Sequence, residues 1–326
     1  MDAVSVDHPL RAAGATTDSG GGRPVSGARD SALGPFLEGV RRDVDATLDR
    51  RVPAETVAPT SIHRAMRYSL FAGGKRIRPA LVVLAGDVLG VERSAALEGG
   101  AALEMIHTYS LIHDDLPALD DDDLRRGRPS LHKQFDEATA ILAGDSLLTL
   151  GLTQLAMHPA AIADERRRAA VEMVGTAIGS QGMIGGQVDD LAATERWPDD
   201  PAAMLEAIHR RKTGALLTAC VELAGIYGGV AEDQRKRLTE IGDLIGLMFQ
   251  IADDILDVEG TSGSLGKTAG KDAAAHKLTY PELHGLEESK TLLARSRDEA
   301  RTLALELPRG GGLFPALIDY LTTRDH

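Results

Sequence analysis

The chain has 326 residues, 43% of them hydrophobic, which is enough for one large domain with a substantial core. Its formal net charge of −13 argues against a nucleic-acid partner and would by itself repel any other polyanion. A single cysteine, Cys220, excludes an internal disulfide framework and fits a reducing, cytoplasmic setting. No apolar run approaches about 18 residues without interruption, so no transmembrane helix is expected.

Residues 1–30 hold Gly20, Gly21, Gly22 and Pro24 among scattered Ser and Thr, which reads as a disordered tail. Asp2, Asp7 and Asp18 count against a transit peptide. Residues 31–326 then read as one domain. From Leu33 onward apolar residues recur at helical spacing, and Ala, Leu, Glu and Arg dominate while aromatics make up only 3%. Pro or Gly near 53–59, 73–79, 90, 127–129, 158–159, 197–201, 228–229, 260–270 and 309–312 divides the chain into roughly ten helices. The expected class is all-α.

Gly73-Gly74-Lys75-Arg76-Ile77-Arg78-Pro79 sets flexible backbone beside Lys75 and Arg78, a plausible anion grip that lacks Walker spacing. A helix over 104–114 puts His107, Ser110 and Asp114 on one face. Next come Asp114, Asp115 and Asp120 to Asp123, followed at once by Arg125, Arg126 and Arg128. Two like charges at roughly 4 Å and an effective dielectric near 20 repel by about 4 kcal/mol, so such carboxylates need water, arginine or metal. On an unbroken helix Asp120 would stand about 240° round from Asp114. Pro117 can end that helix and let Asp120 swing back. Alone, the acidic run could be a solvated loop. A second cluster argues otherwise: Gln250, Asp253 and Asp257 fall at i, i+3 and i+7 within the apolar stretch 249–257. His209-Arg210-Arg211-Lys212-Thr213 and the stretch from Lys267 to Lys277 add cations. Oxygen-only ligands beside cations suit Mg²⁺ and a phosphorylated substrate.

Seven motifs in this order resemble the trans-isoprenyl diphosphate synthases, especially bacterial farnesyl and geranylgeranyl diphosphate synthases. They are GGKRIRP (73–79), IHTYSLIHDDLPALDDDDLRRGRP (106–129), LAGD (142–145), GGQVDD (185–190), HRRKTGALL (209–217), FQIADDILD (249–257) and GKTAGKD to KLTYP (266–281). The resemblance implies a single-domain helical barrel around a deep central pocket, usually homodimeric. It further implies that Asp114, Asp120 and Asp253 ligate three Mg²⁺, with Asp115, Asp254 and Asp257 acting through water or neighbouring ligands and Gln187 and Asp190 nearby. Arg125, Lys212, Thr213, Gln250, Lys267 and Lys277 would serve the allylic diphosphate, with Arg125, Lys212, Thr213 and Gln250 taking part in catalysis. Lys75, Arg78, His107 and Arg126 would hold isopentenyl diphosphate.

Product length follows from the same resemblance. Tyr109 matches the aromatic at the pocket floor of farnesyl enzymes, with Ser110 beside it, so a fifteen-carbon product is expected; otherwise it is a core tyrosine bonded through its hydroxyl. The GKTAGKD stretch keeps a twenty-carbon, geranylgeranyl product as the alternative. A terpene cyclase would carry an Asn/Ser/Glu triad in place of Asp253 to Asp257, and a non-catalytic synthase subunit would have lost aspartates; neither departure is present.

Overall fold

The computed structural model describes residues 26–259 and 278–323, which form fourteen α-helices, a π-helical segment, a 3-10 turn and a two-stranded hairpin. In chain order these are α1 (Ser26–Arg51), α2 (Thr60–Leu70), α3 (Ile77–Leu89), α4 (Arg93–Asp114), β1 (Leu124–Arg125), β2 (Arg128–Pro129), α5 (Leu131–Gln134) and α6 (Glu137–Met157). There follow α7 (Asp164–Ile178), α8 (Met183–Glu195), α9 (Pro201–Ile208), the π-helix (His209–Gly214), α10 (Ala215–Gly228) and α11 (Glu232–Glu259). The last are α12 (Tyr280–His284), α13 (Leu286–Leu305), the 3-10 turn (Pro308–Gly311) and α14 (Phe314–Thr323). The all-α expectation holds; short helices such as α5 and α12 take the number past ten. Helix α1 starts inside the stretch assigned to the tail, and Lys267 and Lys277 lie outside the described residues.

The punctuation works for physical reasons. Asp136 caps α6 by accepting from the Thr139 amide at 2.8 Å, and Asp200 caps α9 just before Pro201. Helices α3 and α10 stop at Gly90 and Gly229, with φ of 77° and 62°.

Helix α4 is central: it packs against α3 on one side and α6 on the other, with further contacts to α1, α2 and α10. Small residues permit this closeness. A Cβ on Gly100 would lie 3.0 Å from Pro79 Cα, and one on Gly151 of α6 3.0 Å from the Ala102 carbonyl. Leu81, Leu84, Leu103, Met105, Ile106, Leu147 and Leu155 fill the space between these helices. A smaller cluster of Leu205, Ile251, Ile255, Leu278 and Tyr280 lies under α11.

Two expectations need correction. Helix α6 passes the length and composition test for crossing a membrane, a test that the apolar runs of the sequence had not suggested any segment would meet. Within this fold it is a core helix, with Ala140, Ala143, Leu147 and Leu155 buried against its neighbours. The hairpin is the second. Its two-residue turn, Arg126-Gly127, has positive φ at both positions (53° and 72°), the pattern that matches the twist of paired strands.

The loop before α3 depends on a residue whose role the motif does not reveal. Arg76 is 3% exposed and bonds Glu104 at 2.7 Å, Asp45 at 2.9 Å and the Leu70 carbonyl at 2.7 Å. Burial works to lower its pKa, but Glu104 and Asp45 more than offset this, so the guanidinium stays charged. Breaking a buried pair strands a charge. Glu104→Leu should therefore lose about 3–5 kcal/mol in urea unfolding, and the Arg76→Met/Glu104→Leu double variant should recover much of it. A loss below about 1 kcal/mol in the single variant would show that the pair holds nothing.

Candidate active site

The end of α4 builds the first half of the site. Helix α4 stops at Asp114, Pro117 follows, and the chain folds back so that the Asp120 amide donates to the Asp114 carbonyl at 2.9 Å and the Asp122 amide to Asp115 at 3.2 Å. Asp120 thus returns beside Asp114, as the proline allowed. Burial, opposed by Lys212 and reinforced by Asp120, pushes the Asp114 carboxyl up to about 6. Asp115 is 2% exposed and binds Arg125 through both its oxygens, while Asp122 lies 3.4 Å from the same guanidinium. Arg125 is therefore held in place by Asp115.

The second half comes from α8, the π-helix and α11. Lys212 donates to Asp190 at 2.6 Å and Arg211 to Asp189 at 2.7 Å. Thr213 donates to Gln250 Oε1 at 3.0 Å; the Gln250 amide in turn donates to Asp254 at 3.0 Å, which also accepts from the Tyr280 backbone at 3.0 Å. Asp254 is buried and acts as a strut, whereas Asp253 and Asp257 are half-buried on the same helix. The π-helix sits close against its neighbours because they are glycines there: a Cβ on Gly186 would lie 2.7 Å from Lys212 Cα, and one on Gly246 2.6 Å from Gly214 Cα. An extra residue in one turn re-aims Lys212 and Thr213, as such turns commonly do at functional sites. Buried His209, lowered to about 3 chiefly by burial, is neutral and places Nε2 3.9 Å from Asp254.

The two halves meet electrostatically, since the Lys212 charge reaches Asp114. Gln187 on α8 has both amide atoms buried with no hydrogen-bond partner among the described residues. Such atoms are costly unless something else completes them. Crowded carboxylates, one with a raised pKa, together with an unsatisfied amide fit a hard divalent ion. Among the described residues no three carboxylates, imidazoles or thiols are arranged to hold an ion alone. Such an ion would complete its coordination with water and phosphate oxygens, as Mg²⁺ commonly does.

The cationic grip is built from the loop before α3, the start of that helix and the hairpin. Lys75 is exposed, its amine 5.7 Å from the Tyr320 ring centroid, and Arg78 opens α3. Arg126 reaches back to the Gly73 carbonyl, and Gly74 takes φ 123°, a conformation that favours glycine, with the Arg126 guanidinium lying against it. Burial, then the charges of Arg78, Arg126, Arg125 and Arg76, hold His107 well below the ordinary histidine value. A neutral imidazole ringed by guanidiniums describes an anion site. Ser110 donates back to the His107 carbonyl at 2.9 Å. Tyr109 is buried with its hydroxyl unbonded among the described residues, and it meets His113 edge-on at 5.7 Å. It is therefore not a tyrosine anchored through its hydroxyl. Burial and Asp114 raise its pKa to about 12.

Arg76 and Glu104 were missed as supports. Glu104 inside the apolar run 101–106 was the available signal, since a lone carboxylate there needs a buried cation.

The raised Asp114 pKa has a sign that can be tested. A folded value of about 6 against 3.8 unfolded means that the folded state binds more protons between those pH values, so stability falls as pH rises from about 4 to 6. Asp114→Asn should remove that slope and, in chelator, make the protein more stable at pH 7 by about 1–3 kcal/mol, the linkage value of up to two pKa units discounted for partial solvation. Urea melts at pH 4.5 and 7 would show an unchanged slope if Asp114 is not strained.

Residues 59–302 match the polyprenyl synthetase family profile. Geranylgeranyl pyrophosphate synthase 11 of Arabidopsis thaliana is 45% identical over 285 residues, 86% of this chain and 79% of that protein. The geranylgeranyl pyrophosphate synthase of Catharanthus roseus is 44% identical over 269 residues, 82% and 75% of the two chains. Among solved structures, an apo FPP/GFPP synthase from Zymomonas mobilis superposes with a TM-score of 0.80 at 35% identity, covering 90% of this chain and all of that one. A geranyltransferase from Legionella pneumophila gives 0.78 at 34%, covering 91% and 97%. The motifs, the helical architecture and these similarities agree: the chain belongs to the polyprenyl synthetase family of trans-isoprenyl diphosphate synthases.

Proposed function

We propose that this short-chain prenyltransferase condenses isopentenyl diphosphate with allylic diphosphates to a twenty-carbon product, geranylgeranyl diphosphate. The observation that carries this reading is the Asp114–Asp120 fold-back within reach of the Lys212 charge. Product length rests on the relatives: those at 44–48% identity are named geranylgeranyl synthases, whereas the farnesyl names belong to structures at 35–37%. That ordering outweighs the single aromatic, Tyr109, behind the fifteen-carbon expectation.

Asp114, Asp120 and Asp253 are the residues we assign to Mg²⁺, which when bound supplies Lewis-acid neutralisation of phosphate charge. Lys212 and Arg125 hold the allylic diphosphate and offset the charge that develops as its C–O bond breaks and the electron pair leaves with the diphosphate. Thr213 and Gln250 turn oxygen dipoles toward the allylic carbon. Lys75, Arg78, Arg126 and neutral His107 place isopentenyl diphosphate so that its double bond attacks that carbon, forming the new C–C bond. A proton then passes to the departed diphosphate. No side-chain nucleophile is required. A homodimer and a cytoplasmic location are part of the same proposal. Exposed Ile141, Leu142 and Met157 on α6, at 44%, 55% and 62%, support the former.

The substrates can be separated kinetically. Arg78→Ala should raise the KM for isopentenyl diphosphate about 10- to 100-fold, the value of a charge-assisted hydrogen bond, with little change for the allylic partner. Lys212→Ala should weaken the allylic side; steady-state kinetics showing the reverse would exchange the two assignments. Length is read from the dephosphorylated alcohols by chromatography with mass detection, using Mg²⁺, isopentenyl diphosphate and each allylic starter. The wild type should give twenty carbons and nothing with chelator, and Tyr109→Ala should give longer chains, since a dry apolar cavity accepts hydrocarbon. A fifteen-carbon wild-type product would overturn the length assignment.

A further inference from the structure

The outer face of α2 carries a second cationic concavity that the proposed reaction does not use. Arg64, Arg67, Tyr68 and Phe71 stand at i, i+3, i+4 and i+7 and line a solvent-open cleft closed on the far side by Arg128 and Phe135. Arg67 is already committed: it bonds Asp49 and the Val52 carbonyl and lies 4.8 Å over the Phe71 ring. Arg64 and Arg128 are exposed. Neither meets a carboxylate among the described residues, and Arg128 stacks its guanidinium 4.2 Å over the Tyr68 ring. Glu55 is the single carboxylate in the lining. Acidic residues outnumber basic ones 49 to 36 in this chain, so carboxylates to neutralise a surface guanidinium are plentiful. With Arg67 paired to Asp49, Arg64 and Arg128 stand against the single carboxylate of the lining, a local reversal of the chain's charge.

Guanidinium forks on facing walls match phosphate oxygens bidentately, and the rings of Tyr68, Phe71 and Phe135 offer an apolar flank. We propose that this cleft is a second diphosphate-binding site, taking inorganic diphosphate or the head group of a prenyl diphosphate. The site is joined to the first. Tyr68 and Arg128 also line the inner pocket with Arg125 and Arg126, and the Tyr68 hydroxyl donates to the Pro129 carbonyl at 2.9 Å, pinning the hairpin that carries those arginines. An anion that draws Arg128 off the Tyr68 ring acts on the wall shared with the pocket that Arg125 and Arg126 line. Only the choice of diphosphate as the available anion rests on the prenyl-transfer reading.

Calorimetric titration of the full chain with inorganic diphosphate, in metal-free buffer at physiological ionic strength, tests this without turnover. Expected is a site whose Kd rises at least tenfold in Arg64→Ala and in Arg128→Ala and is unmoved by Lys212→Ala. Arg210→Ala removes an exposed arginine elsewhere and should leave it unchanged. Titration with farnesyl diphosphate distinguishes the sources: tighter binding, lost in Phe135→Ala, assigns the flank to a hydrocarbon tail, and equal affinity assigns the site to the free anion. Equal affinity of wild type and both arginine variants, a matching loss in Arg210→Ala, or no binding by wild type at millimolar diphosphate would overturn the proposal. Product formation is assayed separately, and Arg64→Ala should retain basal turnover; absence of prenyl product from wild type would count against the reaction and not against the cleft.

Discussion

The buried pair of Arg76 and Glu104 is the interaction on which the arginine-rich end of the candidate site depends. It ties α1, through Asp45, and the end of α2, through the Leu70 carbonyl, to the middle of α4, and so fixes the loop 73–76 from behind. With the loop fixed, the Gly73 carbonyl is held where Arg126 reaches it, and Gly74 leaves room for that guanidinium. Arg126 adopts φ 53°, a left-handed conformation that costs a non-glycine residue about 1–2 kcal/mol. Its bond to Gly73 gives that strain a structural purpose. A buried ion pair is weak evidence for stability in itself, and its value here is positional.

The π-helix plays the corresponding part on the opposite wall. A regular α-turn through 209–214 would rotate Lys212 and Thr213 relative to α8 and α11, whereas the wider turn lets one residue bond Asp190 and the next bond Gln250. Glycines at 186, 214 and 246 are what allow backbones so close. Side-chain cations and carboxylates are thereby held by short, mutually bonded struts, with Asp115 supporting Arg125 and Asp254 supporting Gln250. Such struts pre-organise charge before a ligand arrives, which is the source of most electrostatic catalysis.

Much of this was legible in the chain. Gly and Pro marked many of the helix boundaries, and Pro117 allowed Asp120 to return to Asp114, because its ring and missing N–H disfavour continuing the helix; the rule is not absolute, since Pro35 lies inside α1. What could not be read was partner choice. Arg76 and Arg78 are alike by composition, yet one is sealed against Glu104 and the other opens α3 beside the anion site; only the three-dimensional position of Glu104 separates them. The π-turn was equally hidden, since its cause is close packing against glycines 186 and 246, which are far away in sequence. Helix α6 misled in another way, because its apolar residues are interrupted by polar ones that happen to fall within hydropathy limits.

Charge explains how an acidic molecule can hold polyanions. Beyond a Debye length of about 8 Å at physiological ionic strength the net charge of −13 is largely screened, so a diphosphate inside the cavity is governed by the groups within reach. Those are arginines and lysines, whose charge is constant through the physiological range, around a His107 that burial and four guanidiniums keep neutral. A protonated imidazole there would add one cation to a cluster that already repels itself. A neutral one contributes a hydrogen-bonding group without that cost. The titrating member of the site is instead Asp114, lifted toward 6 on the carboxylate side. On the proposed assignment the work is divided: fixed cations receive phosphate, while the carboxylate that burial strains is the one an arriving cation would stabilise.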